Sequence, residues 1–163
     1  MITTLLRPRL WLAALVMMAA PPLIAAPAPD FTLPSLAGEN IKLSELRGDV
    51  VMINFWASWC GPCRQEMPHL ERLYQRYRKL GFVLLGVNVE KESGKAQRML
   101  REVKVSFPIL FDRANRVSRL YAVKAMPTTV LIDRGGEVRF VHKGYLPGYE
   151  EKYEQQIRML VRE

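Results

Sequence analysis

The sequence predicts an α/β fold, a central mixed β-sheet flanked by helices, and three observations point to it. Two nearly continuous apolar runs rich in β-branched residues, Val50 to Trp56 and Phe82 to Val89, have the pattern of central strands covered on both faces. Each is followed by a segment with apolar residues at helical spacing, and strand–helix–strand–helix order implies parallel pairing. Further on, the Asp133-Arg134-Gly135-Gly136 turn joins two short strand patterns as a hairpin, which makes the sheet mixed.

The chain opens on a leader. Arg7 and Arg9 precede an uncharged stretch from Leu10 to Pro29, a positive n-region followed by an apolar h-region. Pro21 and Pro22 interrupt it, so it is short for a membrane span, which needs about 20 predominantly apolar residues. Residues 1–26 therefore read as a signal peptide, in preference to an N-terminal membrane anchor; proline directly after both candidate cleavage sites, Ala26 and Ala28, keeps the uncleaved, tethered form as the alternative. Residues 27–163 read as one domain of ordinary size. In either form the domain faces an oxidising compartment.

Pro27, Pro29 and Pro34 keep residues 27–38 extended, and Ile41, Leu43 and Leu46 outline a short strand and turn that complete an N-terminal extension. After the first central strand, Met67, Leu70, Leu73, Tyr74 and Tyr77 place a helix from Pro62 to Lys79, kinked at Pro68 and stopped by Gly81. Ser93 to Val103 is a second amphipathic helix. Phe107 to Phe111 reads as a short strand and Asn115 to Tyr121 as a short helix. Thr128 to Ile132 and Glu137 to His142 form the hairpin. Tyr153, Ile157, Leu160 and Val161 share one stripe of a closing helix from Tyr149 to Arg162.

At 49% hydrophobic and 25% charged, the chain can build a core without metal or disulfide staples. The formal charge of +8 includes Arg7 and Arg9, and the domain beyond keeps 22 basic and 16 acidic residues. Its basic residues, such as Arg72, Arg76, Arg78 and Lys79, lack the interleaved aromatics of a nucleic-acid groove, so no nucleic-acid partner is expected.

Cys60 and Cys63 stand in Trp-Cys-Gly-Pro-Cys, where the first central strand ends and a helix begins. A thiol exchanges with a disulfide through its thiolate. Free backbone N–H groups and the positive end of the helix dipole favour that anion at Cys60. Gly61 and Pro62 form the link, and Pro62 suits a first turn, where a missing N–H is no loss. Cys63 lies one helical turn on, placed to attack a mixed disulfide formed at Cys60, so Cys60 is the attacker and Cys63 the resolver. Trp56 and Trp59 flank the pair, either as an apolar wall that shields the sulfurs and meets unfolded substrate or, for Trp56, as a core-packing residue. Zinc is not expected, because only His69 and His142 could complete a ligand set and neither has metal-ligand spacing. A purely structural disulfide over so short a loop would remove little chain entropy. Pro127, directly before a strand, fits a cis bond or a trans proline that starts the strand.

Through Asp30-Phe31-Thr32-Leu33-Pro34, Asn54-Phe55-Trp56-Ala57-Ser58-Trp59-Cys60-Gly61-Pro62-Cys63, Pro68 and Met126-Pro127-Thr128-Thr129, the chain resembles the thioredoxin superfamily. Within it, residues 29–162 are similar to the exported TlpA/ResA/CcmG-like thiol:disulfide oxidoreductases. The resemblance implies a thioredoxin fold with an N-terminal extension and an insertion after the second core strand. It implies that Pro127 is cis and lies against the cysteines, that the backbone of Met126 bonds an extended substrate strand, and that Gly144 lets substrate backbone approach. Trp59 would also meet substrate. The Cys60–Cys63 dithiol would need no cofactor and no metal. Asn54 departs from thioredoxin proper, which keeps a buried acid there; the candidate to tune Cys63 instead is Glu90, with Glu92 one alignment step away.

The implied partners are exported proteins with disulfides and a membrane dithiol electron donor, with a monomer expected in the bacterial periplasm, soluble or tethered to the inner membrane. Gly61-Pro62 resembles the reducing end of a range from about −270 mV for thioredoxin to about −120 mV for DsbA. Cytochrome c or copper-site maturation are the client processes that the family suggests. The alternatives are a disulfide oxidase and a Cu(I)-delivery or chaperone scaffold. Antioxidant peroxidase activity is not expected, because Ala57 stands where peroxiredoxins carry a Thr or Ser that orients the peroxide.

Overall fold

The computed structural model describes residues 26–163. The leader, residues 1–26, therefore lies outside the described residues apart from Ala26. The N-terminal extension supplies β1 (Ala26–Pro27) and an antiparallel pair, β2 (Thr32–Pro34) and β3 (Asn40–Lys42), before a 3₁₀ turn. β4 (Val50–Trp56) leads into α1 (Gly61–Tyr77), and Gly81, at a left-handed φ of 76°, turns the chain into β5 (Phe82–Asn88). α2 (Gly94–Val103) crosses to β6 (Ile109–Phe111), and α3 (Arg116–Leu120) leads to the hairpin of β7 (Thr128–Ile132) and β8 (Glu137–Lys143). α4 (Tyr149–Leu160) closes the chain.

One mixed sheet runs in the order β1-β8-β7-β4-β5-β6. β4, β5 and β6 are parallel, as a strand–helix–strand connection requires, and β7, β8 and β1 add antiparallel neighbours. The segment between β5 and β7 carries α2, the edge strand β6 and α3. This is the thioredoxin fold with its extension and insertion.

The alternation of β4 decides what each face of the sheet meets. Val50, Met52 and Trp56 join a core cluster with Met67 and Leu70 of α1, Met99 of α2 and Ile157 of α4. Val51, Ile53 and Phe55 join a second cluster with Phe31 and Leu33 of the extension and Val117 of α3. Tyr121 ties that extension down: its hydroxyl donates to the Pro29 carbonyl at 2.8 Å, and its ring lies against Phe31 and Phe55. Asn54 falls by the same alternation on the helix side, buried and opposite Thr129 of β7. Two polar side chains inside a core need partners.

Element ends shift by a few residues where local chemistry dictates it. β6 begins at Ile109 rather than Phe107, because Pro108 has no N–H for a ladder. α1 remains one continuous helix through Pro68, which is exposed on its solvent side.

Gly86 sits opposite Asn54 in β5, where an added Cβ would come within 2.8 Å of Ile109 Cδ1 and 2.9 Å of Phe107 Cε2. Gly86→Ala is therefore expected to lower stability by about 1–3 kcal/mol through overpacking, measured by urea unfolding.

Candidate active site

β4 ends at Trp56, and the next residues carry the chain over the sheet's end into α1. Cys60 caps that helix with extended backbone (φ −88°, ψ 106°), and its sulfur accepts the N–H of Cys63 at 3.1 Å. Pro62 lies in the first turn, and no acid there opposes the positive helix end. Cys60 and Cys63 are joined as a disulfide with Cα atoms 5.3 Å apart. Cys60 keeps 5% of its surface exposed and Cys63 none, so a partner's sulfur can reach Cys60 only.

Trp59 stands 70% exposed beside this disulfide. Of the two readings for Trp56, the packing role holds: it is fully buried and lies in the core. The Met126–Pro127 bond is cis. Thr128 pairs with Phe55, so Pro127 enters the sheet level with the end of β4, and Met126 packs against the cluster that holds both cysteines. Gly144, at a φ of 79°, donates its N–H to the Pro127 carbonyl at 2.7 Å, in open space that leaves its backbone accessible.

The largest addition to the sequence reading is Glu66. It lies three residues after Cys63 on the buried face of α1, with no exposed surface. Its carboxyl accepts Asn54 Nδ2–H at 2.8 Å and the Tyr153 hydroxyl at 2.9 Å, with the Thr129 hydroxyl at 3.5 Å. Asn54 also donates to Thr129 Oγ1 at 2.9 Å. Burial pushes the Glu66 carboxyl up to about 7, against the bonds from Tyr153, Asn54 and Thr129 that favour the anion. The acid that thioredoxin proper keeps on the strand stands here on the helix, and Asn54 holds it. The sequence reading missed Glu66, and the signal that could have found it is the helical stripe of 63, 66, 70, 73 and 77, in which a carboxyl must be buried.

Glu90 is engaged elsewhere. It accepts both the backbone N–H and the hydroxyl of Ser58 at 2.7 Å, and Asn88 Nδ2–H at 3.0 Å. Burial alone would raise its pKa, but the bonds from Asn88 and Ser58 outweigh it and hold Glu90 below the usual carboxylate range. Glu90 is thus an ionised clamp on the loop before Cys60, with no hydrogen bond to Cys63. Glu92 is exposed. His142 is hydrogen-bonded to Gln156, and His69 meets Arg72 and Glu150. Among the described residues no group of three or more His, Cys, Asp or Glu could hold a metal.

Glu66 titrates near its ordinary value of 4.5 when unfolded and at about 7 when folded. The folded chain holds the proton longer, so this contribution to stability is complete below pH 4.5 and lost as pH rises through 7, by about 3 kcal/mol. Urea unfolding of the oxidised protein between pH 4.5 and 8 should show that decline, and Glu66→Gln should flatten it.

A model of the AhpC/TSA family matches residues 24–141. A thiol-disulfide oxidoreductase ResA of Geobacillus kaustophilus is 40% identical over 121 residues, covering 74% of this chain and 70% of that protein. The ResA of Halalkalibacterium halodurans is 41% identical over 117 residues, 72% of this chain and 66% of that one. A crystal structure provisionally named thiol:disulfide interchange protein DsbE, from Chlorobium tepidum, superposes with a TM-score of 0.81 at 43% identity, over 84% of this chain and 96% of that one. The chain belongs to the AhpC/TSA family, as a thioredoxin-fold thiol-disulfide oxidoreductase.

Proposed function

We propose that the protein works as a reductase of disulfides in exported proteins, in the periplasm of a bacterium, and is itself reduced by a membrane dithiol. The observation that carries this reading is the layering of the site: an accessible Cys60 at a helix start, a buried Cys63 one turn below, and Glu66 behind Cys63. The leader, read as signal or anchor, supports export. Cytochrome c or copper-site precursors, which keep paired thiols ready for metal or haem, are clients of the fitting chemistry.

In the reduced protein the Cys60 thiolate attacks one sulfur of the client disulfide. A Cys60–client bond forms, and the client's other sulfur leaves as a thiolate. Cys63 then gives its proton to the Glu66 carboxylate, and the Cys63 thiolate attacks the Cys60 sulfur. The Cys60–Cys63 disulfide forms and the second client thiolate leaves, so the client gains two electrons and the enzyme loses two. A carboxyl with a pKa of about 7 suits such a transfer at neutral pH. Substrate backbone would lie along Met126 and Gly144, with Trp59 covering its apolar side chains. Asn54, Thr129 and Tyr153 act through Glu66 as positioning residues. Peroxide chemistry finds little support: Ala57 has no hydroxyl, and the nearby Ser58 hydroxyl donates to Glu90.

Cys63→Ser in the full chain should hold exported clients as mixed disulfides on Cys60, identified by mass spectrometry after non-reducing electrophoresis. Cys60→Ser should trap none. Equal trapping by both variants, or by neither, would contradict the assignment.

A further inference from the structure

The cysteine end of the sheet carries charge that disulfide exchange does not use. Between the Trp59 loop and the start of α2 lies an open groove of about 750 Å³, lined by Trp59, Glu90, Glu92, Lys91, Lys95 and Arg98 among others. The three cations are exposed, and none belongs to an ion pair among the described residues. Elsewhere Arg64 pairs with Glu102, Arg76 with Glu154, and Arg139 with Asp133 and Glu163. The groove also holds two carboxylates, Glu90, which keeps its charge while bonded to Ser58 and Asn88 and is close enough to feel Lys95, and Glu92, so its lining carries three cations against two anions. The groove is continuous with the redox site, because Trp59 on its rim directly precedes Cys60 and Glu90 on its floor holds Ser58.

We propose that this groove is a second contact surface for the disulfide-bearing client and takes an acidic segment of it, with client carboxylates on Lys91, Lys95 and Arg98 while the client cysteine meets Cys60. This rests on the reductase reading above. The surplus of cations over carboxylates beside Cys60 favours an anionic partner: exposed cations attract carboxylates at long range and raise association rates. Salt screens such attraction, with a Debye length of about 8 Å at physiological ionic strength and about 3 Å at 1 M. An extended peptide that crosses from the Pro127 side over Cys60 would reach the groove past Trp59.

The test uses the reduced full chain and two synthetic peptides that share one internal disulfide, with Asp or with Asn flanking the reactive cysteine. At low salt the Asp peptide should be reduced about tenfold faster, the lower end of what electrostatic steering supplies. That ratio should fall below about twofold near 1 M salt, and also in Lys91→Ser/Lys95→Ser/Arg98→Ser at low salt. Reduction of the small neutral hydroxyethyl disulfide tests the cysteine chemistry separately; if wild type fails there, the reductase reading falls. If wild type reduces it but handles both peptides at one rate, or if the triple variant keeps the tenfold ratio, the groove proposal is overturned. Sedimentation with anionic phospholipid vesicles closes the other route: a triple variant that loses vesicle binding yet keeps the peptide ratio would assign the cations to a lipid surface and overturn the proposal.

Discussion

A carboxyl buried behind the resolving cysteine is the constraint on which the rest of the site depends. A charge with no exposed surface costs several kcal/mol unless it is neutralised or hydrogen-bonded. The fold meets that demand from three directions: Asn54 from the central strand, Thr129 from its antiparallel neighbour, and Tyr153 from the closing helix. These elements therefore have to converge behind α1, and the cysteine motif at the start of α1 is held by the same convergence. Burial and hydrogen bonding oppose each other at Glu66, and the balance leaves its proton labile near neutral pH.

The sheet's alternation makes this arrangement follow from sequence. Because Val51, Ile53 and Phe55 belong to the extension side, Asn54 must belong to the helix side, where α1 passes over it. An Asn there supplies an N–H donor that an acid could not. Asn54 on the strand and Glu66 on the helix together place a hydrogen-bonded acid on the element that carries the cysteines, where thioredoxin proper has its acid on the strand. The second carboxylate near the site has a mechanical part: Glu90 grips Ser58 by two bonds and fixes the turn from which Cys60 projects.

The strong periodic signals were legible in the sequence. Val50–Trp56 and Thr128–Ile132 have the limits their residue patterns predict, since short runs rich in β-branched residues favour a buried strand over a helix. The cysteine pair was legible because strand end, helix start and Pro62 coincide there. The buried carboxyl of Glu66 was missed for a physical reason: a Glu in a helix with many exposed charges looks solvated until the stripe through Cys63, Leu70 and Tyr77 is drawn and found to contain it. Glu90 drew attention by its place near the site in sequence, whereas its role is set by which donors reach it. Hydrogen-bond partners 75 and 87 residues apart, such as Asn54 with Thr129 and Glu66 with Tyr153, are set by register and packing, which no local pattern encodes.

The claim that Glu66 accepts the Cys63 proton is tested most directly by the rate at which a Cys60 mixed disulfide with a neutral thiol resolves, followed against pH. The account predicts an inflection near pH 7 in the wild type that disappears in Glu66→Gln and persists in Glu90→Gln. Superimposable profiles for the wild type and Glu66→Gln would contradict it.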